Sequence, residues 1–558
     1  MSISRRSSYP LNAPPSPARP GQQISSPKGT DKPPRVPRNI RALKDGKAPP
    51  LVGRTIIVLL DGTGDKLDSD NSNIIHLMQC LKKASPDQVV YYQSGIGTYN
   101  GKGLSKGFSA GLDMAVGSGL GVHIRDAYRF LMQTFKENDR ICLFGFSRGA
   151  YTARCLAGMI HKVGLLPAHN VSQVEFAYSF YKNDTPEGWN MSLEFKRTFC
   201  MDVSVHFVGV FDSVASVGFF PRKLPLSSTP HNKARYFRHA LALDERRAKF
   251  KACRFQRKTT TDAKAHWETV AEVHEDAGGL VRRQSTLSSR SGFHSPTNGS
   301  LSRRVSVSDQ IGTTDSTPFP LRGRQPTDEF PNETDVLEVW FVGQHADVGG
   351  GAAKNEVRHK LSQTPLRWMI RQCFECNTGI IFKTHNLASE GLDVHTLWPV
   401  YTPLTRPKVG PPPSIMEKYD AGSIAPISRR ATVLAPVNET DPLGLHDVKL
   451  YEDAYHNALH ADWVPEQVED YFDCISTIHD QLIMAKTWWI LEFWPIKVRV
   501  QPPDSDTWVK KVAMNLGRYR PVQDEAPNMH WTVQQRMDTL GYKINARVDK
   551  RANWNIVV

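Results

Sequence analysis

Residues 140–160 constrain the fold more than any other stretch of this sequence. Residues 141–144 are a short apolar run, which is typical of a strand buried on both faces of a sheet. From residue 151 to 160 the apolar and small residues recur at helical spacing, and Gly-Phe-Ser-Arg-Gly lies between the two segments at 145–149. The pattern predicts a strand, a sharp turn and a helix, with the Ser147 hydroxyl exposed at the corner. Glycines suit the turn because side chains there would collide with neighbouring backbone.

The charge of the chain is concentrated near its N-terminus. The formal net charge is +14, and residues 1–54 contribute eleven Lys/Arg and two Asp, or +9. Residues 1–50 are rich in Pro, Ser and Arg, and we expect them to form a disordered basic arm. The rest of the chain is only mildly basic and has no basic stripe interleaved with aromatic residues, which argues against nucleic acid as a partner.

Cysteine use and apolar runs indicate the compartment. The eight cysteines are scattered, and the one close pair, Cys373 and Cys376, lacks the second Cys or His pair of a zinc site. We expect free thiols on a helix, a reducing compartment, and no metal or organic cofactor. Neither a signal peptide nor a run of about 18 apolar residues is present, so we expect a cytoplasmic protein with at most a peripheral membrane contact.

Several apolar runs predict further strands. They cover residues 54–60, 88–93, 205–212 and 337–343. Helices are expected near 123–136, over much of the stretch from the helix at 151–160 to about 200, and at 232–253. Strands separated by helices predict an α/β class protein with a three-layer, α/β-hydrolase-like fold, a mostly parallel sheet and a large helical and loop elaboration.

The domain boundaries follow from composition. The hydrolase-like domain is expected to span residues 51–500, with a C-terminal extension at 501–558 packed on it. Residues 275–333 are rich in Ser, Thr and Arg and almost free of aliphatic residues, which predicts a disordered insertion within the domain.

Three of the predicted strands are followed by side chains of the types that catalyse acyl transfer in serine hydrolases. In parallel α/β sheets the site lies at the carboxyl ends of the strands, where Ser147, Asp212 and His345 fall in the chain order of α/β-hydrolases. The histidine would take the serine proton and the aspartate would orient the imidazole. The Arg148 amide and the turn at Gly62 and Thr63 would supply the oxyanion hole.

Other residues compete for these roles. Asp347 is the substitute acid, and His239 or His206 the substitute base. Asp61 would act indirectly, by hydrogen bonding to the turn that forms the oxyanion hole.

Two further function classes remain open. Asp61-Gly-Thr after a buried strand faintly resembles the loop of aspartyl phosphatases, and with Asp212, Asp347 and His345 it could hold a metal for phosphoester hydrolysis. No Lys stands in a companion motif, and the serine turn would be left unexplained. A catalytically inactive binding scaffold is the other class. A dinucleotide loop at residues 95–97 is disfavoured because its third glycine is misplaced.

Several motifs in one order resemble the catalytic domain shared by bacterial type VI secretion phospholipase effectors and many uncharacterised fungal proteins. They are Asp-Gly-Thr at 61–63, Gly-Ile-Gly-Thr at 95–98, the serine motif at 143–154, and the segments at 211–218, 239–246 and 339–351. The resemblance implies an α/β-hydrolase fold, a triad of Ser147, Asp212 and His345, and phospholipid ester hydrolysis for the bacterial members. Gly64, where the family often has Trp, and the insertion depart from the pattern and leave the substrate open.

We therefore expect a serine hydrolase that cleaves carboxylic esters, of lipids or phospholipids or of small molecules, through an acyl-enzyme. Serines two positions beyond an Arg pair, including Ser285 and Ser306, suit a basophilic kinase as a partner.

A cluster of aromatic residues indicates either a membrane contact or a core contact. Three Trp and one Phe lie within residues 488–494, and Lys486, Lys497 and Arg499 flank them. Indole rings favour membrane–water interfaces, yet such a stretch in a soluble domain also packs readily on the core.

Overall fold

The fold was analysed in a computed structural model of the chain. It describes residues 36–49, 51–62, 65, 67–95, 109–214, 234–255, 334–408, 410–422, 463–502 and 505–558, with backbone alone for 109–118. The chain divides into Met1–Arg35 and Val36–Val558, and every described residue belongs to the second unit. The predicted insertion at 275–333, both serines of the kinase hypothesis, and residues 63, 64 and 96–98 lie outside the described residues.

Eight parallel strands form the central sheet. The fourteen strands of the described residues are β1 Asn39–Arg41, β2 Thr55–Leu60, β3 Gln88–Gln93, β4 Arg140–Phe146, β5 Val205–Phe211, β6 Ala234–Ala242, β7 Asp335–Phe341, β8 Ile381–Lys383, β9 Pro495–Val500, β10 Val509–Met514, β11 Pro521–Val522, β12 Asn528–His530, β13 Arg547–Val548 and β14 Asn555–Val557. The sheet order is β14-β12-β7-β6-β5-β4-β2-β3, and each neighbouring pair is parallel. The predicted α/β fold with a mostly parallel sheet is confirmed.

Helices cover both faces of this sheet. They are α1 Asn73–Cys80, α2 Ser109–Thr134, α3 Ser147–Val163, α4 Val174–Lys182, α5 Pro186–Phe199, α6 His345–Gly349, α7 Gln363–Glu375, α8 Thr384–Ser389, α9 Pro413–Asp420, α10 Pro465–Cys474, α11 Gln481–Met484, α12 Trp489–Glu492 and α13 Trp531–Leu540. Side chains of a strand alternate between faces. Thus Ile56 and Val58 of β2 join the cluster formed by α2 to α5, whereas Ile57 and Leu59 join the cluster of α1, α7 and α8. The result is a three-layer arrangement.

The strand order places the site. The chain runs from β2 to the edge strand β3 and then returns to β4 on the other side of β2. Connections from β2 and β4 therefore leave in opposite directions, which opens a crevice at their carboxyl ends. Asp61 follows β2 and Ser147 follows β4, so both lie beside this crevice.

The predicted helix at 232–253 is wrong. Residues Ala234–Ala242 form β6, which pairs with β5 and β7 in the middle of the sheet. The segment is rich in Ala, Leu and Arg, which are good helix formers, and it is buried on both faces, so it shows no two-residue alternation. Tertiary pairing overrides the local propensity here.

Two predicted boundaries also need correction. The N-terminal arm was expected to reach residue 50, yet β1 pairs with β8 and Ile40, Ala42 and Leu43 are buried. Burial of these apolar side chains allows residues 39–43 to fold although the composition of the arm around them is polar. The C-terminal extension at 501–558 was expected to pack on the hydrolase-like domain. It is instead part of that domain, because β12 and β14 belong to the central sheet. In the part of the chain that the structure describes, no helix is long and apolar enough to cross a membrane.

Candidate active site

Ser147 sits on a strained turn between β4 and α3. Its φ is +57°, a left-handed conformation that non-glycine residues rarely adopt and that is typical of a nucleophile elbow. The flanking glycines permit the turn: a Cβ on Gly145 would lie 2.6 Å from the Ala150 backbone, and one on Gly149 would lie 2.2 Å from the Leu60 carbonyl oxygen. The steric reason predicted for both glycines is confirmed.

The structure brings the three predicted catalytic side chains together. Ser147 Oγ lies 2.7 Å from His345 Nε2, and His345 Nδ1 lies 2.5 Å from Asp212 Oδ2. Ser147 follows β4, Asp212 follows β5, and His345 is the first residue of α6, two residues beyond the Gly343 turn that follows β7. With its hydrogen on Nδ1, the imidazole donates to the carboxylate and accepts from the serine hydroxyl. This is the arrangement in which a serine hydroxyl can be deprotonated.

Asp212 is held by more than the histidine. Arg520 donates from Nη1 to Oδ1 at 2.6 Å and from Nη2 to Oδ2 at 2.8 Å, and the Ala242 amide donates to Oδ1 at 3.0 Å. Burial alone would raise the pKa of Asp212, yet the charge of Arg520 and the hydrogen bond with His345 hold it below its ordinary value. The carboxylate is therefore ionised at neutral pH.

His345 is enclosed by aromatic rings. The rings of Phe146 and Phe250 each lie 4.8 Å from the imidazole, and the backbone amide of His345 donates to Glu245 Oε2 at 3.2 Å. Burial lowers the pKa of His345, and the hydrogen bond with Asp212 opposes this. A neutral imidazole at Nε2 is what a general base requires.

The substitute acid and bases are engaged elsewhere. Asp347 accepts the Gln344 amide at 2.9 Å and pairs through Oδ1 with His479 Nδ1 at 2.7 Å, so it caps α6 instead of facing His345. His239 Nδ1 lies 2.9 Å from Glu338, and its Nε2 accepts the Ser213 amide. His206 Nε2 bonds the Cys376 carbonyl at 3.1 Å. None of the three lies in the Ser147 hydrogen-bond chain.

Asp61 organises the turn after β2. Its Oδ1 accepts from Ser72 Oγ at 2.7 Å and from the Gly62 amide at 2.8 Å, and its Oδ2 accepts from Tyr92 Oη at 2.9 Å. The Gly62 amide is thus engaged with Asp61 and is not directed at a substrate oxygen, a correction to its predicted role that follows from the adjacent carboxylate. Burial raises the pKa of Asp61, and the Ser72 hydrogen bond opposes the shift.

The metal-site alternative for Asp61 finds no support in the described ranges, where no group of three or more His, Cys, Asp or Glu side chains is arranged to hold a metal ion. Three donors already bond to the Asp61 carboxylate, two at Oδ1 and one at Oδ2. They leave about one of its roughly four lone-pair positions for a metal or a phosphoryl group.

Arg520 and Glu245 were not identified from the sequence. Arg520 lies 308 residues beyond Asp212 in the chain, and no motif surrounds it. Glu245 accepts two bonds from the Arg247 side chain, at 3.0 and 2.8 Å, besides the His345 amide. Glu245 lies in the family-like segment at 239–246, but the helix expected at 232–253 gave no reason to place it at the site.

The fold and this site are those of an α/β protein with a serine, a histidine and an aspartate in one hydrogen-bond chain. Residues 54–372 match the family described as type VI secretion system phospholipase effector Tle1-like catalytic domains. The match covers more than half of the chain, and the chain belongs to this family.

The chain is similar to a yeast protein in sequence and to two bacterial proteins of known structure. An uncharacterized protein of Saccharomyces cerevisiae, YEL023C, is 30% identical over 547 residues, which cover 84% of this chain and 76% of that protein. A crystal structure of an uncharacterized protein from Pseudomonas aeruginosa covers 78% of this chain and 64% of its own, at 14% identity and a TM-score of 0.28. The Tle1 effector bound to the VgrG spike covers 37% of this chain and 48% of its own, at 19% identity and a TM-score of 0.20.

Proposed function

We propose that this protein is a serine hydrolase that cleaves carboxylic esters of phospholipids through an acyl-enzyme on Ser147. The observation that carries the proposal is the continuous hydrogen-bond chain from Ser147 Oγ through His345 to Asp212, at 2.7 and 2.5 Å, on a strained strand-to-helix turn. The phospholipid class is supported by the description of the family to which the chain belongs.

Acylation begins with the serine. His345 Nε2 takes the hydroxyl proton as Oγ attacks the ester carbonyl carbon, and a tetrahedral oxyanion forms. The Arg148 amide, directly after the nucleophile in the first turn of α3, is the proposed first oxyanion donor. Thr63 remains the proposed second donor. When the ester C–O bond breaks, the imidazolium returns the proton to the departing alcohol.

Deacylation repeats the sequence with water. His345 takes a proton from a water molecule, whose oxygen attacks the acyl carbon. The bond from carbon to Oγ breaks, the fatty acid leaves, and Ser147 regains its proton. In both half-reactions Asp212 stays ionised and stabilises the imidazolium without taking the proton.

Arg520 is a positioning residue in this scheme. It holds both carboxylate oxygens of Asp212, and its Nε donates to the Phe250 carbonyl at 2.8 Å. The fork fixes the plane of the carboxylate that orients His345, and it links that plane to the loop carrying Phe250.

Ser147→Ala tests the proposal. It should abolish labelling by a fluorophosphonate and reduce phospholipid ester cleavage by several orders of magnitude, leaving ~10³-fold over water. His345→Ala should be comparably damaging, and His239→Ala serves as the matched control because that imidazole bonds Glu338 instead. Undiminished turnover of Ser147→Ala would overturn the assignment. A wild-type protein that is never labelled and cleaves no ester would favour a binding scaffold.

A further inference from the structure

A patch of exposed apolar side chains lies beside the candidate site. Between residues 483 and 516, eight large apolar side chains are 46–74% exposed: Ile483, Met484, Ile490, Phe493, Trp494, Val512, Met514 and Leu516. Exposed apolar surface on this scale marks an interaction site. We call the surface formed by residues 483–502 and 505–516 the docking face.

The β9–β10 hairpin mixes cations with these apolar residues on one side. Its register places Met514 opposite Pro495, Val512 opposite Lys497, and Lys510 opposite Arg499. Directly opposed residues share a face, and all six of these side chains are exposed. Arg499 and Lys510 are like charges side by side, an arrangement that is unfavourable unless anions lie against it.

Further cations beside the hairpin donate to uncharged oxygen atoms. Lys251 donates to the Lys497 carbonyl, Arg499 to the Gln523 side-chain oxygen, and Arg547 to the carbonyls of Tyr519 and Arg499. Burial lowers the pKa of Lys251 to about 8, and the neighbouring Lys249, Arg499 and Arg547 add to the shift. The region therefore has a positive potential that attracts anions.

The docking face is attached directly to the loop that encloses His345. Trp488 packs edge-on against Phe250 at 5.4 Å, and Phe250 packs in turn on the His345 ring. The buried carboxylate of Glu492 accepts from the amides of Ala248, at 2.5 Å, and Gly517, at 2.9 Å. Two aromatic rings, Trp488 and Phe250, therefore connect this face to the proposed base.

We propose that the docking face binds the surface of an anionic phospholipid bilayer and holds the candidate site against it. Interleaved apolar and basic side chains fit such a surface, because the apolar groups enter the acyl boundary while the cations meet lipid phosphates and carboxylates. The aromatic stretch at 488–494 was predicted to make either a membrane contact or a core contact, and in this proposal it makes both. Trp488 packs on the site loop, whereas Phe493 and Trp494 are 55% and 51% exposed.

Vesicle binding tests the docking face without turnover. Full-length Ser147→Ala protein is sedimented with vesicles of phosphatidylcholine alone or mixed with phosphatidylserine. Lys497→Gln with Lys510→Gln should weaken binding to the mixed vesicles ~30-fold, since each cation near an anionic surface contributes about 1 kcal/mol. Ile490→Ser with Val512→Ser should weaken it at least ~10-fold through lost apolar burial. The basic residues 1–35 are present in every protein, so their contribution cancels.

Matched controls lie elsewhere on the surface. Phe176→Ser with Met191→Ser removes apolar side chains that are 57% and 52% exposed, on α4 and α5. Lys83→Gln with Lys136→Gln removes two exposed cations. Both controls should bind like the parent. Equal binding by the docking variants and the parent would overturn the proposal.

The docking face rests on the proposed function only in that phospholipid hydrolysis gives the protein a reason to bind a bilayer. Two further outcomes distinguish a failure of the docking face from a failure of the hydrolase. Loss of vesicle binding in the docking variants, with no ester cleaved by the serine-intact protein, would leave the docking face standing and refute the hydrolase. Cleavage of soluble short-chain esters with no vesicle binding would do the reverse. If Ile490→Ser with Val512→Ser only converts a dimer to a monomer in sedimentation velocity, the face is an interface between two copies and the proposal falls.

Discussion

Asp212 and Asp470 are both buried and both paired with an arginine, yet their pKa values move in opposite directions. Burial raises the pKa of each. At Asp212 the charge of Arg520 and the hydrogen bond with His345 more than reverse the effect. At Asp470, where α10 packs on α7, the pKa rises to about 7 despite two bonds from Arg367, at 2.9 and 2.6 Å.

The number of competing carboxylates explains the difference. Arg367 also donates to Asp473, and the neighbouring carboxyl group of Glu466 lies in the same cluster, paired with Arg371 at 2.6 Å. Asp212 instead accepts from both nitrogens of the Arg520 fork, which otherwise donate to the uncharged backbone carbonyls of Ala242 and Phe250. An amide and an imidazole are further partners of the carboxylate. A single salt bridge therefore says little about the ionisation of a buried acid until the nearby charges are counted.

Asparagine substitutions should separate the two acids most strongly. Asp212→Asn should lower kcat about 10⁴-fold, because the amide does not hold the catalytic tautomer of His345. Asp470→Asn should leave kcat unchanged, since Asp470 contacts Arg367 and not the site. Steady-state turnover of a phospholipid substrate measures both. If Asp347→Asn is the damaging change and Asp212→Asn is mild, the acid has been misassigned.

Removing Arg520 tests how the low pKa of Asp212 is maintained. Arg520→Ala should destabilise the fold by about 3–5 kcal/mol, because a buried carboxylate loses its main countercharge. The carboxylate would then keep the Ala242 amide and His345 as its partners. Without the guanidinium charge it would raise the pKa of the imidazole, moving the acid limb of the kcat/KM profile to higher pH. Arg520→Lys should restore part of the turnover.

Arg371→Ala is the matched control for this change. It removes the partner of Glu466 at the α7–α10 interface and should destabilise the fold in chemical unfolding without moving the acid limb. An Arg520→Ala enzyme that loses stability alone, with an unaltered pH profile, would reduce Arg520 to a structural role.

The pH dependence of stability should show opposite signs for the two acids. The folded pKa of Asp470, about 7, exceeds its ordinary value of 3.8, so the folded state binds more protons between these values. The stabilisation is complete below about pH 4 and is lost as the pH rises towards 7, with a slope of up to about 1.4 kcal/mol per pH unit. Asp212 behaves in the opposite way: its contribution is present above its ordinary pKa and is lost as the pH falls further.

Chemical unfolding at a series of pH values measures this. Asp470→Asn should flatten the decline in the free energy of unfolding between pH 5 and about 7. A variant whose decline matches that of the parent would show that Asp470 titrates normally.

An exposed ion pair should contribute least to the free energy of unfolding. Arg197 and Glu194 lie 3.4 Å apart on α5, with both side chains 67% exposed. Arg197→Ala should change the free energy of unfolding by less than about 0.5 kcal/mol, because water screens the pair. A larger loss would mean that burial is not what distinguishes the interior pairs.

The residues at the strand ends could be predicted because their signals are local. An apolar run followed by Gly-x-Ser-x-Gly or by an acidic residue indicates a strand end. Parallel strands bring such ends to one edge of a sheet, so the strand ends predict that Ser147, Asp212 and His345 lie together, and the structure joins them by hydrogen bonds.

The features that sequence could not predict depend on distant contacts. β6 contains helix formers and becomes a strand only because β5 and β7 pair with it. Arg520 looks like any other basic residue of the C-terminal region until the fold carries it to Asp212. The opposite ionisation of Asp212 and Asp470 depends on which charges surround each acid in space.

The long separation between Asp212 and Arg520 has a consequence for biosynthesis. The two residues lie 308 positions apart, so at about 5–20 residues per second a ribosome needs about 15–60 s to make Arg520 after Asp212 has been added. During that time the nascent chain lacks the guanidinium that compensates the buried carboxylate, as well as the strands β12 and β14. The carboxylate of Asp212 therefore gains its countercharge only after Arg520 has been added, well after Ser147 and His345 have been made.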